Sequence, residues 1–285
     1  MADAAGSVAI LGVKGGPAIR PGSSMPTALL VQMGGARLLV DAGLGAARGV
    51  CDQGVALTAL DGIVITHLHS DHYLELGPLL HTAWTAGLKR EIPVWGPRGL
   101  AAYWQHFLAS MAFDIELRIE DEGRRLLSDL VRIHEMPDEI VLGSLAVTAT
   151  LNHHPPLSES YALSFAAGSK RVVFSGDTAP FEGWEVFCRG ADLLIHEAML
   201  EAGVDATLAS LPHHAPELRT HILRSHTEAA EVGRLAAAAD VGHLALMHFV
   251  PEGLSGFGPE IWESEVRRHY AGLLTLARDG VRLTL

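Results

Sequence analysis

Short apolar runs separated by Gly, Pro or charged residues recur along the whole chain, with amphipathic stretches between many of them. Such runs predict strands, and they fall at residues 8–11, 28–33, 37–40, 63–65, 93–95, 115–119, 131–136, 145–151, 171–174, 193–195, 244–247 and 281–285. A helical spacing of apolar residues predicts helices at 73–88, 100–111, 227–239 and 261–274. Because strands and helices alternate in both halves, we expect an α/β fold, a four-layer αββα sandwich formed by residues 1–285 as one domain.

Two segments lack such a pattern. Residues 12–24 are rich in Gly and Pro, and we interpret them as a tight turn region beside a site. A phosphate cradle is the alternative, but no Gly-Lys-Ser/Thr element supports it. Residues 200–225 are polar and carry Pro212-His213-His214 and His221, which predicts a loop or lid over a site and not a set of extra ligands.

The densest group of metal-binding residue types is Thr66-His67-Leu68-His69-Ser70-Asp71-His72, directly after the strand 63–65. Side chains two apart on an extended chain point the same way, so His67 and His69 can bind one cation. Ser70 is a favourable helix N-cap, which puts Asp71 and His72 on the first helical turn. Three imidazoles and a carboxylate suit zinc, manganese or iron.

Further candidate ligands follow later strands. The strands 145–151, 171–174, 193–195 and 244–247 are followed by His153-His154, Asp177, His196-Glu197 and His248. Strand ends meet at one edge of an α/β sandwich, so these side chains can converge there. Either His153 or His154 can supply the third ligand of the first cation, and Asp177 has the position of a bridging carboxylate.

His226 and Asp41 each have two interpretations. His226 begins the helix 227–239, where capping or packing is the alternative to the catalytic role that we favour. Asp41 ends a strand before Gly43 and is either a turn residue or a residue that holds a metal-bound histidine in the right tautomer.

Composition and charge limit the classes of partner that we expect the protein to bind. The net charge is −12 with His neutral, and basic residues form only isolated pairs. Proteins that depend on phosphate contacts usually have basic stripes, so we expect a small-molecule substrate and no long nucleic acid. No stretch approaches the ~18 apolar residues of a membrane helix, and the first residues do not resemble a signal peptide. A cytoplasmic protein without membrane association is expected, with Cys51 and Cys188 reduced.

Taken together, the motifs resemble the ribonuclease Z-like branch of the metallo-β-lactamase superfamily, which includes arylsulfatase- and phosphodiesterase-type hydrolases. The motifs that carry the resemblance are Leu11-Gly12 with Gly15-Gly16, Val40-Asp41-Ala42-Gly43, the stretch 66–72, His154-Pro155-Pro156, Phe174-Ser175-Gly176-Asp177-Thr178, Ile195-His196-Glu197, Ser225-His226-Thr227 and Met247-His248-Phe249. In that family the histidine directly before Pro or Gly is the ligand, which favours His154 over His153.

The resemblance implies a role for each residue. Two divalent cations are implied, with zinc expected and manganese or iron as alternatives. One cation would be held by His67, His69 and His154, the other by Asp71, His72 and His248, and Asp177 would bridge them. His226 would be the proton donor, oriented by Glu197, and we assign Asp71, His226 and Glu197 to catalysis. A homodimer is expected by family likeness only.

One departure bears on the substrate. Family members that trim transfer RNA commonly carry a long arm between the third histidine and the bridging aspartate, whereas only residues 155–176 separate them here. We therefore expect a dinuclear hydrolase of a small-molecule phosphodiester, sulfate ester or carboxylic ester that uses a metal-bridging hydroxide. The alternatives are a transfer RNA 3′-processing endonuclease, a lactonase or β-lactamase, and a non-catalytic metal-binding module or sensor.

Overall fold

Two mixed β-sheets form the centre of the computed structural model, which describes residues 6–211 and 216–285. The first sheet contains β1 (Ser7–Gly12), β2 (Ala28–Met33), β3 (Ala36–Val40), β4 (Gly62–Val64), β5 (Ile92–Gly96) and β6 (Val131–Glu135). The second sheet contains β7 (Glu139–Leu142), β8 (Leu145–Leu151), β9 (Tyr161–Ala167), β10 (Lys170–Phe174), β11 (Leu193–Met199), β12 (His243–Val250) and β13 (Leu273–Leu276). The last strand, β14 (Val281–Thr284), returns to the first sheet beside β1. The strand orders are β14-β1-β2-β3-β4-β5-β6 and β13-β12-β11-β10-β9-β8-β7.

Helices lie on the outer faces and at the loops between strands. They are α1 (Ala46–Asp52), α2 (Ser70–Tyr73), α3 (Leu76–Thr85), α4 (Leu100–Ser110), α5 (Ala112–Glu122), α6 (Leu127–Leu130), α7 (Trp184–Cys188), α8 (Glu201–Ser210), α9 (Pro216–Ser225), α10 (Ala229–Ala238) and α11 (Pro259–Arg267). Within the described ranges, no helix has the length and apolar content needed to cross a lipid bilayer.

The alternation of side chains in β1 explains the layers. Val8 and Ile10 pack in a core that also contains Phe165 of the second sheet, so this face of β1 lies between the sheets. Ala9 and Leu11 point the other way and pack in a second core with Leu80 of α3. Successive side chains of a strand point to opposite faces of the sheet. Both faces of β1 are covered by other residues, and both are therefore apolar. The predicted α/β sandwich, with two sheets covered by helices, is confirmed.

The strand predicted at 115–119 is wrong, because these residues belong to helix α5. The sequence alternates apolar and charged residues, which favours a strand by period. The helix instead turns Ile115 and Ile119, one turn apart, toward the core and leaves Leu117 exposed. Ion pairs from Arg118 to Asp114 and Glu122, each four residues away, support the helical form.

The loop or lid predicted at 200–225 is also corrected, because its described parts form helices α8 and α9. Arg219 of α9 pairs with Glu201 and Asp205 of α8, with 2.6 Å between charged atoms in both cases. Val204 and Leu208 form a small apolar cluster with Ile222 of α9. The segment was polar overall because only one face of each helix is apolar. Pro212, His213 and His214 lie outside the described residues.

Two predicted helices have different limits. The helix expected at 261–274 ends at Arg267, and Leu273–Leu276 form β13 instead, parallel to β12. Gly272 lies between them, and its carbonyl accepts a hydrogen bond from the Arg267 guanidinium at 2.6 Å. The helix expected at 73–88 corresponds to α3, and a separate short helix, α2, precedes it and carries Asp71 and His72.

Candidate metal centre

The site lies where parallel strands of both sheets end. In the first sheet, β3 and β4 are parallel, and Asp41 and the 66–72 stretch follow them. In the second sheet, β10, β11 and β12 are parallel, and Asp177 follows β10. Parallel neighbours end at the same sheet edge, which brings residues far apart in sequence together.

The first group consists of His67, His69 and His154, whose ring nitrogens lie within 4.8 Å of one another. Nε2 of His154 is 3.0 Å from Nδ1 of His69. Burial lowers the pKa of His154 to about 4 and the pKa of His67 well below its usual range. Both rings are therefore neutral at pH 7, as a metal-binding imidazole must be.

The second group contains Asp71, His72, Asp177 and His248, all buried. Oδ2 of Asp177 lies 3.2 Å from Nε2 of His72 and 3.1 Å from Nε2 of His248. The same oxygen lies 3.7 Å from Nε2 of His67 in the first group. Burial alone would raise the pKa of Asp177, but the facing rings of His248 and His72 hold it well below its usual range. Asp177 therefore stands between the two groups, as a bridging carboxylate would.

His248 reaches the site through a β-bulge. The strand that we expected to end at residue 247 continues to Val250. Along β12, Met247 pairs with Glu197 and Phe249 with Ala198, so His248 is an extra residue without a partner in β11. Its φ of 46° is in the left-handed region, which is uncommon for a residue other than Gly. Bulges of this kind change the direction of a side chain and occur next to active sites.

Hydrogen bonds outside the two groups fix the orientation of the imidazoles. Nδ1 of His72 donates to Oδ2 of Asp41 at 2.8 Å, and Thr66 Oγ1 donates to the same carboxylate. Nδ1 of His154 donates to the carbonyl of Ser225 at 2.8 Å. Each bond uses Nδ1 and leaves Nε2 toward the centre. Of the two interpretations of Asp41, the orienting role fits this geometry. Thr66 and Ser225 belong to motifs of the sequence, but no role was predicted for either residue.

The glycine-rich segment also contacts the centre. The backbone N–H of Gly16 donates to Oδ2 of Asp71 at 2.8 Å. A Cβ on Gly15 would lie 2.8 Å from the carbonyl oxygen of Phe249 and 3.2 Å from Cε1 of His248. The segment therefore packs as a turn against the centre, which agrees with the interpretation that we favoured.

His226 and Glu197 are neighbours at the same centre. Nδ1 of His226 is 3.3 Å from Oε1 of the fully buried Glu197. The same carboxylate oxygen accepts hydrogen bonds from the backbone N–H groups of Thr178 and Thr227, at 3.2 and 3.0 Å. The ring of His226 stacks on that of His248, with 5.5 Å between centroids. His226 is partly exposed, so it faces both the centre and the space in front of it.

The remaining histidines of the sequence motifs point elsewhere. His153 is exposed, and its backbone carbonyl bonds to Ala179, so His154 is the member of this pair in the centre. His196 precedes Glu197 in β11 and so faces the opposite side of the sheet, where its Nε2 accepts a hydrogen bond from Trp184.

The donor set fits divalent cations. Nitrogen and oxygen atoms about 2.0–2.1 Å from a tetrahedral zinc ion lie roughly 3.4 Å from each other, and the distances of 3.0–3.7 Å given above agree with this spacing. Nε2 of His67, Nε2 of His72 and Oδ1 of Asp177 are buried with no hydrogen-bond partner in the described residues. Buried polar atoms are rarely left without a partner, and a bound cation would provide one.

Solved structures share this fold. The metallo-β-lactamase fold protein YhfI from Bacillus subtilis matches with a TM-score of 0.72 and 22% identity, covering 99% of this chain and 100% of that one. A diphosphatase of the PhnP family matches with a TM-score of 0.66 and 17% identity, covering 98% of each chain. These likenesses show the metallo-β-lactamase fold, and the His/Asp cluster described above lies within it.

Relatives found by sequence identify the family to which the chain belongs. Ribonuclease Z of Mycolicibacterium paratuberculosis is 30% identical over 278 residues, which are 95% of each chain. A family model described as "Anti-Pycsar protein Apyc1" matches residues 8–248. The chain belongs to that family and, with it, to the ribonuclease Z-like branch of the superfamily.

Proposed function

We propose that the protein is a dinuclear metal-dependent phosphodiesterase that acts on small phosphodiesters of nucleotide size. The position of Asp177 carries this proposal, because one carboxylate oxygen lies within 3.7 Å of histidines from both groups. We assign His67, His69 and His154 to one cation and Asp71, His72 and His248 to the other, with zinc as the expected metal. Cations bound there would lower the pKa of water and polarise the oxygens of a phosphoryl group.

The names of two related proteins support phosphorus chemistry. A ribonuclease cleaves phosphodiester bonds, and a diphosphatase also acts at phosphorus, so both support a phosphoryl substrate over a sulfate or carboxylic ester. These two names do not support a lactonase or β-lactamase.

Two observations favour a small substrate over transfer RNA. Between His154 and Asp177 the chain forms only the antiparallel pair β9 and β10, joined by residues 168–169, and there is no room for an arm. The net charge of −12 opposes binding of a long polyanion.

His226 and Glu197 have separate roles in the proposed reaction. Hydrolysis forms a bond from a water oxygen to phosphorus, with loss of one proton from that water to the solvent, and breaks one P–O ester bond, whose departing oxygen takes up a proton. We assign that proton to His226, which faces the centre and is partly exposed. Glu197 lies beside the ring, with its Oε1 3.3 Å from Nδ1, and this oxygen is itself fixed by two backbone N–H groups. A protonated donor lowers the cost of expelling an alkoxide.

Metal content and hydrolysis test the proposal together. Purified protein should hold about two equivalents of transition metal and hydrolyse bis(p-nitrophenyl) phosphate and nucleoside cyclic monophosphates, with the activity lost on chelation and restored by zinc or manganese. The comparison panel contains p-nitrophenyl sulfate, p-nitrophenyl acetate, a lactone, nitrocefin and a precursor transfer RNA. Faster turnover of any of these would contradict the substrate assignment, and less than one equivalent of metal with no gain on adding more would contradict the metal assignment.

A further inference from the structure

A cavity of about 610 Å³ lies beside the candidate metal centre. Its walls come from the glycine-rich loop at 14–23, from α8 and α9, and from residues 250–254, which begin at the last residue of β12. Pockets for small ligands measure about 300–1,000 Å³ and are mostly apolar with a few polar groups. The cavity therefore has the size of a small-molecule site, and none of the residues that we assigned to metal binding or catalysis lines it.

The cavity and the metal centre share two walls. On one side, Gly16 lines the cavity, while its N–H donates to Asp71 of the centre at 2.8 Å. On the other side, Ile222 of α9 lines the cavity, and the preceding residue, His221, places its ring 6.1 Å from the ring of His69. Three residues further along α9, the Ser225 carbonyl accepts the hydrogen bond of His154. A substrate held at the centre can therefore extend into this cavity.

The two sides of the cavity differ in chemistry. Apolar side chains line the helical side and the end of β12, namely Val204, Leu208, Leu218, Ile222 and Val250. On the loop side, Nζ of Lys14 donates to the carbonyls of Gly15 and Gly16 at 2.8 and 3.1 Å. Arg20 is exposed and has no ion pair within residues 6–211 and 216–285. Glu252 is the acidic residue of the lining, so the side chains of Lys14 and Arg20 leave the lining with an excess of one positive charge.

We infer that this cavity is the specificity pocket for a planar ring, aryl or nucleobase, that is carried by an ester group of the phosphodiester. The ring packs against Leu218, Ile222 and Val250, and the negative charge of the diester is held near Lys14 and Arg20. The positive charge is local, in a protein whose net charge of −12 would otherwise repel an anionic substrate. This inference rests on the proposed function, because it assigns to that reaction the part of the substrate that does not react.

A pair of substrates with the same leaving group tests the pocket. Bis(p-nitrophenyl) phosphate and methyl p-nitrophenyl phosphate both release p-nitrophenolate and differ only in the ester group that remains. We expect Ile222→Ala to lower kcat/KM for the diaryl substrate about 10-fold and to change that for the methyl substrate less than 2-fold. Leu218→Ala, in an exposed position of the same wall, gives the same readout should Ile222→Ala not fold. Leu117→Ala on α5 is the matched control, exposed and away from the cavity.

Charge is tested separately with Arg20→Gln. It should raise KM for both substrates about 3–10-fold at low ionic strength, and less at high salt, because an exposed charge is screened. The pocket assignment would be overturned if kcat/KM fell equally for both substrates in Ile222→Ala and Leu218→Ala. It would also be overturned if the preference for the diaryl substrate stayed unchanged.

Direct binding keeps the pocket testable apart from catalysis. By calorimetry, diphenyl phosphate should bind the wild-type protein at least 10-fold more tightly than dimethyl phosphate, and Ile222→Ala should remove most of the difference. Equal affinity of the two ligands would refute the pocket. Wild-type protein that binds diphenyl phosphate in this way but hydrolyses neither diester would refute the proposed function and retain the pocket.

Discussion

Nδ1 of His72 lies 2.8 Å from Oδ2 of Asp41, and both side chains are completely buried. Since a carboxylate has no proton to donate, Nδ1 of His72 carries the proton of this contact, and Nε2 is the nitrogen left to bind a cation once its own proton is released. The contact thus selects the tautomer that binds a cation. It joins the end of β3 to α2, the helix that also carries Asp71.

The first prediction follows from this contact. Asp41→Asn keeps the size of the side chain but replaces the carboxylate with a weaker, neutral acceptor. We expect metal affinity to fall about 10–100-fold, measured by competition with a chromogenic chelator. Asp52→Asn, at an exposed carboxylate paired with Arg48, is the control and should bind metal as the wild type does. Unchanged affinity in Asp41→Asn would mean that the contact is structural only.

The second prediction separates proton donation from metal binding. His226→Ala should lower kcat about 10²–10⁴-fold while both metals stay bound, because neither metal set that we assigned includes His226. The measurement is steady-state kinetics combined with elemental analysis of the same sample. Loss of metal in His226→Ala would instead identify His226 as a ligand, an arrangement that its position near His154 and Asp177 also permits.

The third prediction concerns the loop that packs against the centre. A methyl group in Gly15→Ala would lie 2.6 Å from Cγ2 of Val250 and 2.8 Å from the Phe249 carbonyl oxygen, so the loop must shift. We expect a loss of about 1–3 kcal/mol in the free energy of unfolding and weaker metal binding, since Gly16 holds Asp71. Denaturant unfolding and metal titration measure the two effects.

A substitution elsewhere in the same loop is the control for Gly15→Ala. Gly22 has a φ of 78° and nothing within 4 Å of its Cβ position, and Asn tolerates this conformation. Gly22→Asn should therefore unfold and bind metal nearly as the wild type does. Equal effects of the two substitutions would show that the loop, and not the contact of Gly15, is responsible.

The fourth prediction concerns the thiols. Cys51 is exposed and Cys188 is buried, and burial raises the pKa of the Cys188 thiol well above its usual range. The thiolate is the reactive form, so Ellman's reagent at pH 8 should modify about one thiol per folded chain and two after denaturation. Rapid reaction of both thiols in the folded protein would contradict the burial of Cys188 at the end of α7.

Much of the fold and of the site could be predicted because the signals are local. The His67–His72 stretch carries its geometry in its spacing, and the strands before Asp177 and His248 are short apolar runs. The errors arose where a local pattern fits two structures. Alternation at 115–119 suits a strand, but the same residues also place Ile115 and Ile119 on one helical face.

The features that could not be predicted from the sequence depend on contacts between distant segments. The bulge that turns His248 toward the centre is defined only by its pairing with β11. Ser225 orients His154 through a backbone carbonyl, which any residue type could supply. The cavity beside the centre is formed by α8 and α9, whose polarity alone indicates a loop.

The proposed ligands come from both sheets: the 66–72 stretch follows β4 of the first sheet, and Asp177 and His248 belong to the second. The two cations held by them would cross-link the two halves of the sandwich, and they would bind fully only when the halves are correctly docked. Metal affinity should therefore depend on how well the two sheets pack against each other. Truncating Phe165, which is buried between the sheets and belongs to neither metal set, would then weaken cation binding at a distance, and added metal would in turn raise the melting temperature of the truncated protein.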